Sequence, residues 1–332
     1  MQIEVGGKKD KYRAFYTACF KTLNGSCGIR GLRLRNWLLF TFMVLLWGSN
    51  WSIMKIGLRY IEPVAFVLQR YIVSAVVLLP FSLILRNRIP RDKRTLAKLA
   101  ILCLIFVSVI VAQEVGLSQE SSGVGAVLTY TQPLFVFLLA VPLLSEKVTK
   151  TKLLGVIIGF TGVFVLFINE IGSLTVNSAF ILLFGAFLWG LAAVYYKKFL
   201  NHVDPLITHF SQLSVGIIPL LMLASTGSSY GFPNDAVYVE ALFVSSVGAL
   251  AVGNVIWFFL LREEEATVVT GSTLIIPAVA LFFGWRLLGE NFSLYSLLGS
   301  GLTLIGVYLL NIRRKSYQPS ANQSKQTQPI QP

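Results

Sequence analysis

Charge, cysteine and histidine are all scarce in this chain. Charged residues make up 13% of its 332 residues, about half the share of an ordinary soluble domain. With so little polar surface available, a water-soluble fold, a coiled coil and a disordered chain are all excluded. The three cysteines, Cys19, Cys27 and Cys103, are odd in number and lack CxxC spacing, which excludes a disulfide framework and a zinc site. Cys19 and Cys27 stand in a basic arm, where two plain thiols are the simpler reading and reversible acylation the other. The two histidines, His202 and His209, have no cysteine near them, so no metal and no cofactor is expected. No short cleavable leader is expected either, since the first long apolar run begins only after Arg35.

What the chain has instead is apolar length. Residues of the set AVILMFWYC make up 55% of it, and its mean hydropathy is +0.70. A membrane-crossing helix needs about 20 mainly apolar residues. Ten candidate runs satisfy or approach that: Trp37–Leu58, Pro63–Leu85, Leu99–Leu117, Val124–Leu144, Leu153–Ile168, Ala179–Tyr196, Leu206–Ala224, Ala241–Leu261, Val268–Leu288 and Phe292–Ile312. The fold class expected is an all-α polytopic membrane protein with ten transmembrane helices.

The net charge of +13 does not mark a nucleic-acid binder, because the basic residues fall in short blocks between the apolar runs and at the two termini. With the N-terminus placed inside, 24 of the 28 Lys and Arg lie on inner segments. The other four are Lys55, Arg59, Arg70 and Arg286, within or at the outer ends of spans. The positive-inside rule therefore predicts a cell-membrane protein with both termini cytoplasmic. Residues 1–36 form a basic N-terminal arm, and residues 313–332, rich in Gln, Ser and Pro, read as a disordered tail.

The chain also repeats itself. At an offset of 144, Thr129 falls on Thr273, Pro133 on Pro277, Glu146 on Glu290, Gly155 on Gly299 and Gly162 on Gly306. At an offset of 142, Trp47-Gly48 falls on Trp189-Gly190, Lys55 on Lys197 and Pro63 on Pro205. The units are residues 37–168 and 179–312, each with five expected spans. Five is odd, so the second unit enters the membrane the other way up. Two inverted five-helix repeats are an architecture of secondary transporters.

The run Trp47-Gly48-Ser49-Asn50-Trp51 followed by Lys55 resembles the first span of EamA-type members of the drug/metabolite transporter superfamily. So do Pro63 with Arg70, the Tyr130-Thr131-Gln132-Pro133 segment running to Glu146, and Pro277 with Gly289-Glu290. The resemblance spans Trp37 to Ile312 and implies a ten-helix carrier of small metabolites, often an exporter, with a central cavity lined from both halves. It says little about substrate. The long basic arm and Glu114 depart from the pattern.

Trp47, Asn50 and Trp51 share one helical face, either as a cavity wall or as a helix–helix contact glued by Asn50. Trp47 lies about 15 Å along the helix from Trp37, too deep for an interfacial aromatic belt; Trp189 is its repeat mate. Arg70 follows Pro63 by seven residues and must face protein or water at that depth. With Lys55 and Glu114 it falls in the outer half of the first repeat, as a charged gate or as a structural ion-pair cluster. Glu114, the carboxylate placed well inside a span, is either a proton-coupling group or a permanent counter-ion. Gln113, Tyr130, Gln132, Tyr195, Gln212, Asn254, Trp257 and Thr273 are further polar or aromatic cavity candidates, each of which could instead be interhelical glue. Pro133 and Pro277 free carbonyls four residues back and are expected to kink the fourth and ninth spans. The Gly155-x-x-x-Gly159 pattern and Gly299, Gly301 and Gly306 read as close-packing ridges; no strand precedes them, so they are not a nucleotide loop. Glu263–Glu265 reads as a solvated connection.

No Ser/His/Asp, Cys/His or metal constellation supports an intramembrane enzyme, and no catalytic residue is expected. The leading reading is a secondary transporter, an exporter, of a small polar metabolite such as an amino acid or related compound. Multidrug-type efflux of organic cations is disfavoured by the lack of an acidic residue in the first span, and a receptor or scaffold gains nothing from inverted duplication. The expected partners are the lipid bilayer and a small-molecule substrate, with a homodimer left open; nucleic acid is not among them.

Overall fold

A computed structural model describes residues 29–144, 149–170, 176–225, 231–263, 266, 269–270, 273 and 275–311. The expected disordered tail and most of the basic arm, Cys19 and Cys27, and Glu146 lie outside the described residues. Those described form helices and connections, without a strand among them. In chain order the helices are α1 (Ile29–Gly57), α2 (Pro63–Ile84), α3 (Lys93–Gln119), α4 (Ser122–Thr129), α5 (Gln132–Leu144), α6 (Lys150–Glu170), α7 (Val176–Phe199), α8 (Pro205–Ala224), α9 (Ala236–Val244), α10 (Asn254–Glu263), α11 (Ile275–Leu288) and α12 (Leu294–Asn311). A π-helical stretch, Ser245–Gly253, joins α9 to α10 into one rod. Among the described residues, seven segments are long and apolar enough to cross a membrane, and Ile275–Leu288 and Leu297–Gly306 are shorter apolar helices.

Local chemistry sets the helix ends. Asp92 caps α3, its Oδ2 accepting from the Thr95 N–H at 2.7 Å. Hydrogen bonding from the Thr95 side chain, and then from its backbone N–H, favours the ionised form and holds the exposed Asp92 carboxyl below the usual carboxylate range. Asp204 and Asp235 cap α8 and α9 in the same way. Pro63 and Pro205, repeat mates, occupy the first helical position of α2 and α8, where the missing N–H costs nothing. The expected kink in the fourth run is sharper than a kink. That run is cut into α4 and α5 at Tyr130–Thr131, directly before Pro133, and the Thr131 hydroxyl donates to the Leu128 carbonyl at 2.7 Å. Pro277 lies in the first turn of α11, after a turn in which the Thr273 hydroxyl donates to the Thr270 carbonyl at 2.6 Å.

The packing carries the sequence repeat into space. A Cβ on Gly162 would meet Thr303 and the Gly299 carbonyl, while one on Gly306 would meet the backbone of Gly155 and Gly159. Those contacts are reciprocal at the offset of 144, so α6 and α12 cross at a pseudo-two-fold axis. Gly48 lies against Val279 and Gly190 against Phe135, again mates with mates. The Lys55 ammonium donates to the carbonyls of Leu117 and Ser118 at 2.8 and 3.1 Å. Its mate Lys197 donates to those of Leu261 and Arg262 at 2.8 and 3.2 Å. Each lysine thus satisfies orphaned carbonyls where a long helix ends, and sits favourably at its negative pole. Lys55 at the C-terminus of α1 and Ser178 at the start of α7 both bond the end of α3, Ser178 through Glu120. The mates α1 and α7 therefore run antiparallel.

Close approach at the α6–α12 crossing has a testable cost. Gly306→Leu forces the two backbones apart and is expected to destabilise the protein by about 1–3 kcal/mol. Gly301→Leu, where an added Cβ would meet no other part of the protein within 4 Å, is expected to unfold like the parent in the same thermal series in detergent.

Candidate functional site

One cavity stands at the meeting of the two halves. Trp47, Asn50, Trp51 and Met54 of α1, Arg70 of α2, and Ile110 and Gln113 of α3 line it from the first half, with Tyr130 at the α4–α5 break. Trp189 of α7, Ala249 and Leu250 of the π-helical stretch, and Asn254 of α10 complete it. The mates Trp47 and Trp189 meet edge to face, 5.4 Å between ring centroids. The cavity therefore sits on the pseudo-symmetry axis. Its volume is about 30 Å³, room for roughly two water molecules. A metabolite fits only if the walls part.

The walls are polar in a particular way. A π-helix widens the backbone spiral and takes carbonyls out of α-helical register, and here side chains from four helices meet them. The Trp47 indole N–H donates to the Ala249 carbonyl at 3.1 Å. The Asn254 amide and His209 Nε2 donate to the Leu250 carbonyl at 3.0 and 2.7 Å, and the Ser74 hydroxyl to that of Ser246 at 2.8 Å. A side chain at Gly253 would overlap the Trp47 indole, so this approach requires glycine there. Arg70 and Glu114 form a buried ion pair, side chains 3% and 0% exposed. The Arg70 guanidinium also contacts Met54 Sδ at 3.2 Å and lies 5.7 Å from the Phe66 ring centre.

Of the residues predicted as cavity wall, Trp47, Asn50, Trp51, Gln113, Tyr130, Trp189 and Asn254 converge on it. Gln132, Tyr195, Gln212, Trp257 and Thr273 do not line it. Gln132 is fully buried elsewhere, and Gln212 meets His209 Nδ1 at 3.1 Å. Trp257 packs behind Trp189, 6.1 Å between centroids, Tyr195 lies on Phe199 at 4.9 Å, and Thr273 serves its own turn. The expected cluster of Lys55, Arg70 and Glu114 divides: Arg70 and Glu114 pair at the cavity, while Lys55 turns to helix-end carbonyls. Sequence reasoning missed Met54, Ile110 and the π-helical carbonyls. The stretch Ser-Ser-Val-Gly-Ala-Leu-Ala-Val-Gly from Ser245, rich in the small residues at which helices deform, was the available signal. It also missed Glu290, whose carboxylate accepts from the N–H of Ser122 at 2.7 Å and its hydroxyl at 2.8 Å. That contact ties the start of α4 to the second half at the Lys55 end.

Comparison with known proteins places this arrangement. The EamA-like transporter family matches residues 35–168 and 177–312, one copy over each half. The chain belongs to that family. It is a multi-pass membrane protein of a transporter family and not an enzyme. An "Uncharacterized transporter YoaV" of Bacillus subtilis (strain 168) is 27% identical over 274 residues, 80% of this chain and 93% of that protein. An "Uncharacterized transporter" of Archaeoglobus fulgidus is 28% identical over 85% of this chain and its whole length. The "Uncharacterized inner membrane transporter YedA" of Escherichia coli K12 is 24% identical over 81% and 88%. A crystal structure 14% identical in sequence superposes with a TM-score of 0.65, covering 83% of this chain and 96% of its own; it speaks to the fold alone.

Trp47 and Trp189 are almost wholly buried, at 4% and 5% exposure, so truncating either to alanine opens a hole costing about 3–5 kcal/mol. Trp47→Phe keeps an aromatic ring but removes the pyrrole part of the indole with its N–H on Ala249. That variant is expected to lose about 1–3 kcal/mol, less than the alanine variant, while its solute flux in proteoliposomes falls severalfold. Flux and stability measured on one preparation separate the two effects.

Proposed function

We propose that the protein is a secondary transporter that moves a small polar metabolite, of the size and polarity of an amino acid, across the cell membrane by alternating access. In this reading its ten spans form two inverted five-helix repeats, both termini are cytoplasmic, and the net movement is export. The observation that carries it is the position of the cavity: amide, guanidinium and indole groups gathered on the pseudo-two-fold axis, at the contact of the mates Trp47 and Trp189.

The physical logic follows from the symmetry. Two similar units of opposite orientation can exchange shapes, so forms closed at either end have similar energies and a midplane site opens to each side in turn. The Lys55 end is held shut by Lys55 on α3, Glu290 on α4 and Ser178 on Glu120. The Lys197 end carries the related lysine contact on α10. With a cavity of about 30 Å³ between them, the arrangement corresponds to a closed carrier. Efflux of organic cations has less support, since the carboxylate beside this cavity is Glu114, already paired with Arg70. The export direction rests on the family resemblance.

Two measurements test the reading. Purified protein in liposomes is expected to exchange labelled amino acids or related metabolites, and flux of no solute under any ion gradient sinks it. For topology, a single cysteine at Gly231 is expected to react with an impermeant thiol reagent on intact cells and one at Thr149 is not. Labelling at Thr149 overturns the orientation.

A further inference from the structure

The Arg70–Glu114 pair is found in one half only. At the offsets of 142 and 144, Arg70 falls on Gln212 and Glu114 on Phe258. Gln212 bonds His209, and Phe258 packs against the same histidine at 6.0 Å between ring centres. The equivalent helix contact thus holds without charge. A buried ion pair is seldom more stable than an apolar pair of similar volume, so packing does not account for this one.

Its surroundings point to a ligand. Arg70 Nε, Glu114 Oε2, Gln113 Nε2, Asn50 Oδ1 and Asn254 Oδ1 are all buried without a hydrogen-bond partner. Arg70, Gln113, Asn50 and Asn254 all line the cavity. Free donors therefore gather at Arg70 and Gln113, and free acceptors at the two asparagines. Guanidinium geometry matches a carboxylate, which it can bind through two parallel N–H donors.

Charge balance limits what can happen next. In a water-poor site one guanidinium supports one anion, because a second leaves an uncompensated buried charge. Resting on the transport reading above, we propose that the transported solute carries a carboxylate held by Arg70, and that Glu114 is its displaceable counter-ion. When the solute carboxylate takes the guanidinium, Glu114 accepts on its free Oε2 one proton from the bulk solution on that side, relayed through water in the opened cavity. When the solute leaves on the other side, Glu114 releases that proton and returns to Arg70. Solute and proton travel together, one for one, and net efflux follows wherever the outward solute gradient exceeds the inward proton gradient.

The packing around Glu114 leaves this exchange to Arg70. α7 sets Leu182 and Gly185 against Gly116 and Ala112 of α3, α4 sets Gly125 against Leu117, and α8 sets Gly216 against Val107 and Tyr71. Lys55 of α1 is held by the carbonyls of Leu117, Ser118 and Glu120, and His209 of α8 by Gln212 and Leu250. The remaining titratable neighbours, Tyr71 and the cavity-lining Tyr130, are phenols. Among the described residues, the charge acting on Glu114 is that of Arg70.

The test uses the full-length protein in proteoliposomes with an internal pH dye. The probes are the twenty L-amino acids and 3-phenylpropionate, set against phenethylamine, L-phenylalaninamide, glucose and uridine. Carboxylate-bearing probes are expected to exchange, their net uptake acidifying the lumen beyond that of protein-free liposomes, and the others are not. In the wild type the apparent affinity should tighten by up to about tenfold per unit fall in pH while Glu114 is ionised in the empty carrier, because the bound form holds one more proton. Glu114→Gln should keep exchange, lose accumulation driven by a pH gradient and show a pH-independent affinity. Should that variant fold poorly with its cation unpaired, Arg70→Gln with Glu114→Gln, neutral like the mates in the second half, should restore stability and carry no carboxylate. Equal exchange of the amine, amide or sugar, or a wild-type affinity flat with pH, overturns the proposal and leaves transport standing. Flux of no probe at all overturns both.

Discussion

A bilayer supplies no water to a broken helix, and that constraint organises the molecule. Wherever the backbone leaves α-helical register, a side chain must supply the missing partner. Lys55 and Lys197 do so at the ends of α3 and α10, and Glu290 does so at the start of α4. Around the π-helical stretch the same need draws in Trp47, Ser74, His209 and Asn254. These groups come from different helices, so each repaired break is also a tie between elements. The cavity lies beside the ties around the π-helical stretch.

The pseudo-symmetry divides the polar residues into two kinds. The helix-ending lysines, the N-terminal prolines of α2 and α8 and the glycines of the α6–α12 crossing occur in both halves and make matching contacts. They serve the fold, because a duplicated unit needs the same caps and crossings twice. Asn50, Arg70 and Glu114 have Ala192, Gln212 and Phe258 as mates. What one half has and the other lacks is free to answer to a solute rather than to packing.

Much of this was legible in the sequence, and the remainder failed for identifiable reasons. The apolar runs located the long helices because burial in lipid needs a continuous stretch, a one-dimensional property. The exchange of Trp47 for Trp189 and Lys55 for Lys197 was readable from identities alone. The prolines marked breaks but not their severity, since Pro133 cuts the rod outright where Tyr130 and Thr131 can satisfy its loose backbone. Gln113 and Gln132 look equivalent on paper. One faces the cavity and the other is buried away from it, because the break before Pro133 resets the helical phase between Tyr130 and Gln132.

Composition and run length by themselves determined a helical membrane protein, and the internal offsets determined which residues correspond between its halves. Both depend only on chemistry counted along the chain. Tertiary structure decided which polar groups meet. It gave Glu114 to Arg70 and turned Lys55 to the carbonyls of α3, and it opened the backbone at Ala249 and Leu250 toward the cavity. Partner choice depends on how several helices rotate against one another, and no single segment encodes that rotation.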